Sequence, residues 1–140
     1  MKSNTPEYTL DHQVGYLLRR VTQRHLSIFS AAIPDLTTTQ FAALAKLVEL
    51  GPQSQNTLGR ATSMDAATIK GVVDRLARDG LVETADDPDD RRRLTVSLTS
   101  AGQTLYAKRV SQALQVTADT LAPLEPADQL ALIALLSRLT

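Results

Sequence analysis

No cysteine occurs in the chain, which removes thiol catalysis, thiolate metal sites and cysteine-based redox sensing together. Histidine is scarce as well. Two histidines without cysteine or closely spaced acids make a poor transition-metal site, so neither a metal nor a cofactor is expected. The opening stretch "MKSNTPEYTLDHQ" lacks the uninterrupted apolar core of a signal peptide, and no later run has the length needed to cross a bilayer. A cytoplasmic protein with no membrane partner is expected. Neither sign of charge is in excess: 15 basic and 15 acidic residues cancel, so a nucleic-acid role has to rest on where the charges lie. Enzyme chemistry is also without its usual marks. There is no phosphate loop, no serine or cysteine in a nucleophile context, and no pair of carboxylates outside one acidic turn. What remains is 140 residues, 43% of them hydrophobic, enough to fold as one domain without disulfide or metal.

The apolar residues are spaced as helices. Val14, Leu17, Leu18, Val21, His25, Ile28, Phe29 and Ala32 recur at steps of three and four, which predicts a long amphipathic helix closed by Pro34. "TTTQF" reads as a capping box, with Thr37 as N-cap and Gln40 at the third helical position, and that helix runs to Gly51-Pro52. Ser54 is placed to cap a short third helix over 55–61, and Ser63 a fourth over 65–79 that Gly80 ends in the left-handed conformation. "LVETAD" and "RLTVSLT" then alternate apolar with polar residues around "DPDD", the pattern of two antiparallel strands and an exposed turn. Thr99 opens a long helix to about Leu121, and Pro126 sits in the first turn of a last one. The expected fold is mainly α with a small β-hairpin wing, a winged helix-turn-helix in the order α-α-α-α-β-β-α-α.

On the fourth helix Ile69, Val72, Val73 and Leu76 form a buried stripe, leaving Ala66, Ala67, Thr68, Lys70, Gly71 and Arg75 facing away. So slim an outer face can enter a major groove, where methyl groups touch thymine, Thr68 bonds a base edge, and Lys70 reaches guanine or a phosphate. A plain solvated helix surface is the competing reading. The hairpin bears on the choice, because Arg91, Arg92 and Arg93 directly follow the acidic turn, placing one guanidinium to enter a narrow minor groove and the others to hold phosphates. Residues 51–100 carry seven basic and eight acidic side chains, so these arginines have to be displayed by acids turned inward. Asp90 and Asp74 are the acids expected to orient a guanidinium.

From "LTTTQFAALAKL" through "DAATIKGVVDRLARDGLVETADDPDDRRRLTVSLTSAG" the chain resembles the MarR family of bacterial transcriptional regulators, most specifically in "VDRL…GLVE…DPDDRR…VSLT..G". The resemblance implies a homodimer, a pseudo-palindromic double-stranded DNA operator, and release on binding a small ligand, commonly a phenolic or aromatic acid. It places Asp90 and Arg92 at the wing tip and Asp74 as the brace of that arginine. Arg93 stands where some members have a small residue, which leaves open which arginine enters the groove. Ser54, Gln55 and Asn56, at the start of the third helix, complete the expected DNA contacts. Within the family, "SQNTLGRATSMDAATIKGVVDRL" looks like the branch that controls catabolism of aromatic and N-heteroaromatic carboxylates such as nicotinate derivatives.

Residues 36–98 are therefore assigned to reading DNA and 8–34 with 99–140 to a helical dimerisation part. "DQLALIALLSRL" is apolar around most of its circumference and needs a partner subunit to cover it, unless the helix is central in a monomer core. For the ligand, Tyr16, Arg19, Arg20, His25, Phe29 and Phe41 are the candidates, arginine taking a carboxylate and the rings an aromatic body between the dimer core and the second helix. A hydrogen-bonded core histidine is the other reading of His25. The alternative function is a winged-helix adaptor that binds protein rather than DNA, against which the wing arginines and their acids stand.

Overall fold

The computed structural model describes residues 4–140. After a 3₁₀ turn at Leu10–His12 come α1 (Val14–Ala32), α2 (Thr38–Leu50), β1 (Gln53–Ser54), α3 (Gln55–Ala61), α4 (Ala66–Arg78), β2 (Val82–Asp86), β3 (Leu94–Leu98), α5 (Ser100–Leu121) and α6 (Pro126–Arg138). Helices α2, α3, α4 and α5 begin where polar side chains replace missing backbone acceptors. Thr37 and Gln40 exchange both bonds of a capping box, Ser54 accepts from the Thr57 N–H, and Thr99 from that of Gly102.

The fourth cap differs from expectation. Asp65, not Ser63, accepts the Thr68 N–H, at 2.7 Å, while Ser63 lies inside the α3–α4 turn at φ 57°. Ser63 is two residues too early because the turn consumes Thr62 to Met64. Gly80 ends the helical run at φ 74°, which spares a Cβ the left-handed strain.

A third strand joins the hairpin. The sheet is antiparallel in the order β1-β3-β2, with Thr84 opposite Val96 on one side of β3 and Gln53 opposite Val96 on the other. Two residues are too few to show a period of two, so β1 left no alternation in the sequence. It fixes the wing root against the start of α3.

The core lies under the helix-turn-helix. Leu44, Leu47, Leu58, Ile69, Val73, Leu76 and Val96 are fully buried or nearly so, joining α2, α3, α4 and β3. Each such side chain contributes on the order of 1.5–3 kcal/mol of transfer free energy. By contrast α1 buries only Phe29 and α6 buries nothing, leaving Val14 65% and Leu130 73% exposed. The long helices α1 and α5 pack along one another, tied by Arg24 to the Asp119 and Thr120 carbonyls, and Arg109 of α5 holds Asp35 in the loop after α1. Among the described residues no helix is long and apolar enough to cross a membrane, and no group of three His, Cys, Asp or Glu is arranged to hold a metal ion.

Candidate nucleic-acid interface

Helix α4 presents two unlike faces. Ile69, Val72, Val73 and Leu76 point into the core, and Ala66, Ala67, Thr68, Lys70, Gly71, Asp74 and Arg75 are exposed. Gly71 is not demanded by packing, since a Cβ there would meet nothing within 4 Å; the bare surface faces outward. Gly59 on α3 is the opposite case. A Cβ there would lie 3.1 Å from both Ile69 Cγ2 and the Met64 carbonyl oxygen, so glycine lets α3 and α4 approach closely.

The cap at Asp65 rather than Ser63 puts an acid at the start of α4 that the sequence pattern does not single out. The Thr68 N–H bond holds its carboxyl below the ordinary aspartate range, so an ionised group stands at the tip of α4. Such a group repels phosphates and suits a base-edge donor such as the cytosine amine.

At the wing, Asp90 organises the arginines. Its Oδ1 accepts the Arg92 N–H at 3.0 Å and Arg92 Nε at 3.3 Å, and its Oδ2 lies 3.9 Å from Arg93 Nε. The Asp90 side chain is 33% exposed and that of Arg92 is 92% exposed, so the acid faces in and the cation out. Backbone bonds from Asp87 N–H to the Arg93 carbonyl and from Arg93 N–H to the Asp90 carbonyl close the loop. Arg91 is exposed and has no ion pair among the described residues.

The brace expected from Asp74 is not formed. Asp74 Oδ2 takes Lys70 Nζ at 2.8 Å, one turn back on α4, and Arg92 is held by Asp90. The spacing of four residues puts Lys70 and Asp74 side by side on one helix, whereas the wing arginine has an acid two residues away in its own turn.

Ser54, Gln55, Asn56, Arg92, Arg93 and Leu94 line a crevice of about 60 Å³ between the start of α3 and the wing root. The Ser54 hydroxyl is occupied by Thr57, and the buried Gln55 Oε1 has no partner among the described residues. Asn56 is exposed beside the two guanidiniums.

The six ligand candidates do not converge within one chain. Phe29 meets Phe41 edge-on at 6.2 Å, and Phe41 stacks on Tyr106 at 5.4 Å, an aromatic row whose third member the sequence reading missed. His25 Nδ1 lies 2.9 Å from Thr120 Oγ1 at the far end of α5. Arg19 and Arg20 flank the Tyr16 ring, 5.6 and 5.8 Å from its centroid. Nine residues of straight helix, about 13 Å, separate Arg20 from Phe29. Two larger cavities flank the aromatic row. One of about 450 Å³ is lined by Phe29 with Leu26, Ile33, Asp35 and Gln40, and one of about 580 Å³ by Leu47, Val48, Leu98, Gln103, Tyr106 and Val110. Of the six candidates only Phe29 lines either.

A slim exposed helix backed by a second helix, with a hairpin displaying anchored arginines beside it, defines a winged helix-turn-helix. The MarR family model matches residues 36–94. The repressor NicR of Pseudomonas putida is 41% identical over 138 residues, covering 97% of this chain and 87% of NicR. A probable transcriptional regulator from Pseudomonas aeruginosa superposes with a TM-score of 0.91 at 48% identity, covering 94% of this chain and all of that one. BpsR of Bordetella bronchiseptica, whose DNA binding is regulated by 6-hydroxynicotinic acid, gives a TM-score of 0.91 at 40% identity, covering 96% and 97%. The chain belongs to the MarR family: it is a transcriptional regulator, not an enzyme.

Proposed function

We propose that the chain is a homodimeric repressor that binds a pseudo-palindromic duplex through α4 and the wing and leaves it when a small aromatic acid binds. The observation that carries the DNA reading is the pairing of an inward Asp90 with an outward Arg92 beside the bare face of α4. Residues 36–98 read DNA, with 8–34 and 99–140 forming the dimer. The exposed apolar residues of α1 and α6, among them Leu17, Val21, Leu130, Ile133 and Leu136, support a second copy as their cover.

An N-heteroaromatic or related aromatic carboxylate is the effector class, supported by the likeness to BpsR and NicR. Release needs a coupling of only about 1–3 kcal/mol between the two ligands.

The test is to sequence the genomic fragments retained by the purified protein, then titrate the recovered site and a scrambled duplex at several salt concentrations, with and without 6-hydroxynicotinic acid. Steep salt dependence, preference for the recovered site and weakening by the acid are expected. Equal binding of both duplexes sinks the sequence-specific reading, and indifference to the acid sinks the effector class.

A further inference from the structure

The Thr120 hydroxyl meets both the Val116 carbonyl and His25 Nδ1, and the place of its one proton decides what the histidine can recognise. Thr120 Oγ1 lies 2.8 Å from the Val116 carbonyl oxygen, a group that can only accept, so the hydroxyl donates there. The same Oγ1 lies 2.9 Å from His25 Nδ1. Both contacts are hydrogen bonds only if the ring nitrogen is the donor.

The surroundings hold this arrangement. Arg24, next to His25 in sequence, donates from Nη1 to the Thr120 carbonyl at 2.6 Å and from Nη2 to that of Asp119 at 2.9 Å. These bonds lock the middle of α1 onto the last turn of α5. The Asp119 carboxylate is occupied by Gln115 Nε2 at 2.8 Å. His25 is half-buried, and its Nε2 has no partner among the described residues.

We propose that Thr120 is a positioning residue that fixes neutral His25 as the Nδ1–H form and thereby makes Nε2 an acceptor for a donor group on the effector ring. The inference rests on the effector reading above and narrows it. The effector class becomes an aromatic acid bearing a ring hydroxyl or ring N–H; an unsubstituted ring acid leaves Nε2 unpaired. Thr120 acts through His25 and touches no ligand.

The experiment is nitrogen NMR of the histidine rings in the full-length protein in mildly alkaline buffer, with His12→Gln assigning the signals. The expected spectrum of His25 is Nδ1–H with an unprotonated Nε2, kept in Thr120→Ser and lost in Thr120→Val. An Nε2–H ring in the wild type overturns the proposal. A second arm compares affinities for 4-hydroxybenzoate and benzoate. The wild type and Thr120→Ser are expected to prefer the hydroxy acid by about tenfold, the worth of one hydrogen bond, and Thr120→Val to lose that preference. Equal affinity of the wild type for both acids overturns the ligand role. If neither acid binds, that role falls together with the aromatic-acid reading, and the spectra judge the hold of Thr120 on the ring separately.

Discussion

Lys70 Nζ lies 2.8 Å from Asp74 Oδ2, one turn apart on the exposed face of α4. Both side chains are more than half exposed, so the pair contributes at most about 1 kcal/mol to stability. In the proposed complex its weight is on DNA, because Asp74 covers the lysine best placed to reach a guanine or a phosphate. Asp74→Ala frees that cation and removes a negative charge from the groove face. Tighter binding to operator and scrambled duplexes alike, with a steeper salt slope, is expected in equilibrium titrations. A loss of affinity like that of a wing-arginine variant would restore a bracing role for Asp74.

The wing fails differently. Arg92→Ala removes a cation that Asp90 holds outward, so affinity drops on all duplexes and the salt slope shrinks by about one per subunit. Base preference survives, since minor-groove attraction follows groove width more than base identity. Asp90→Ala frees the Arg92 backbone and guanidinium together and reproduces most of the effect with both arginines intact. Thr68→Ala on α4 flattens preference at one symmetric pair of positions, at about 1–3 kcal/mol on the operator. Titrations of the three variants on operator and scrambled duplexes at several salt concentrations separate them; an unchanged Arg92→Ala protein moves the minor-groove assignment to Arg91 or Arg93.

What was legible in the sequence was local. Thr37 with Gln40, Ser54, Thr99 and Gly80 act through neighbours within a few positions, and their roles follow from residue type and spacing. Ser63 reads as the cap in place of Asp65 because both are good caps, and only the length of the α3–α4 turn chooses between them. Contacts far apart in sequence left little trace. Arg24 and His25 meet residues 95 positions away, and Tyr106 joins Phe41 only because α2 and α5 cross there. Asp74 was assigned to Arg92 by resemblance, where the spacing of four to Lys70 already offered a nearer partner.

Asp35 gives the fold a pH dependence. Arg109 Nη2 and Nε donate to its carboxylate at 2.9 and 3.2 Å, and this bonding holds the group below its ordinary value of 3.8. A carboxyl whose pKa is lowered by folding contributes stability above its unfolded value, lost as pH falls through the folded one. Unfolding titrations at successive pH values through and below the carboxylate range are expected to show the wild type losing stability more steeply than Asp35→Asn. Parallel curves would mean that the ion pair is not maintained in solution.

The junction between α5 and the end of α4 is held by three bonds of Thr99. Thr99 Oγ1 donates to the Gly80 carbonyl at 2.6 Å while accepting the Gly102 N–H at 3.1 Å, and the Thr99 N–H donates to the Leu81 carbonyl at 3.2 Å. A Cβ on Gly102 would overlap the Leu81 carbonyl oxygen, which is backbone and cannot swing aside. The start of α5 is thus bolted to the turn that ends α4, and any displacement of one moves the other. Gly102→Ala is expected to destabilise the fold by about 1–3 kcal/mol, as overpacking does, and Thr99→Val by about 1 kcal/mol through the lost cap. Thr99→Ser keeps both hydroxyl bonds and remains close to wild type. In the proposed dimer on DNA, a shift of α4 relative to α5 changes the spacing of the two reading heads that must match the half-sites. Operator affinity then falls more than affinity for scrambled duplex, with the salt slope of non-specific binding unchanged because no cation has been removed. Equal losses on both duplexes, measured on folded Thr99→Val protein, would show that the junction supports stability alone and does not set the position of the recognition helix.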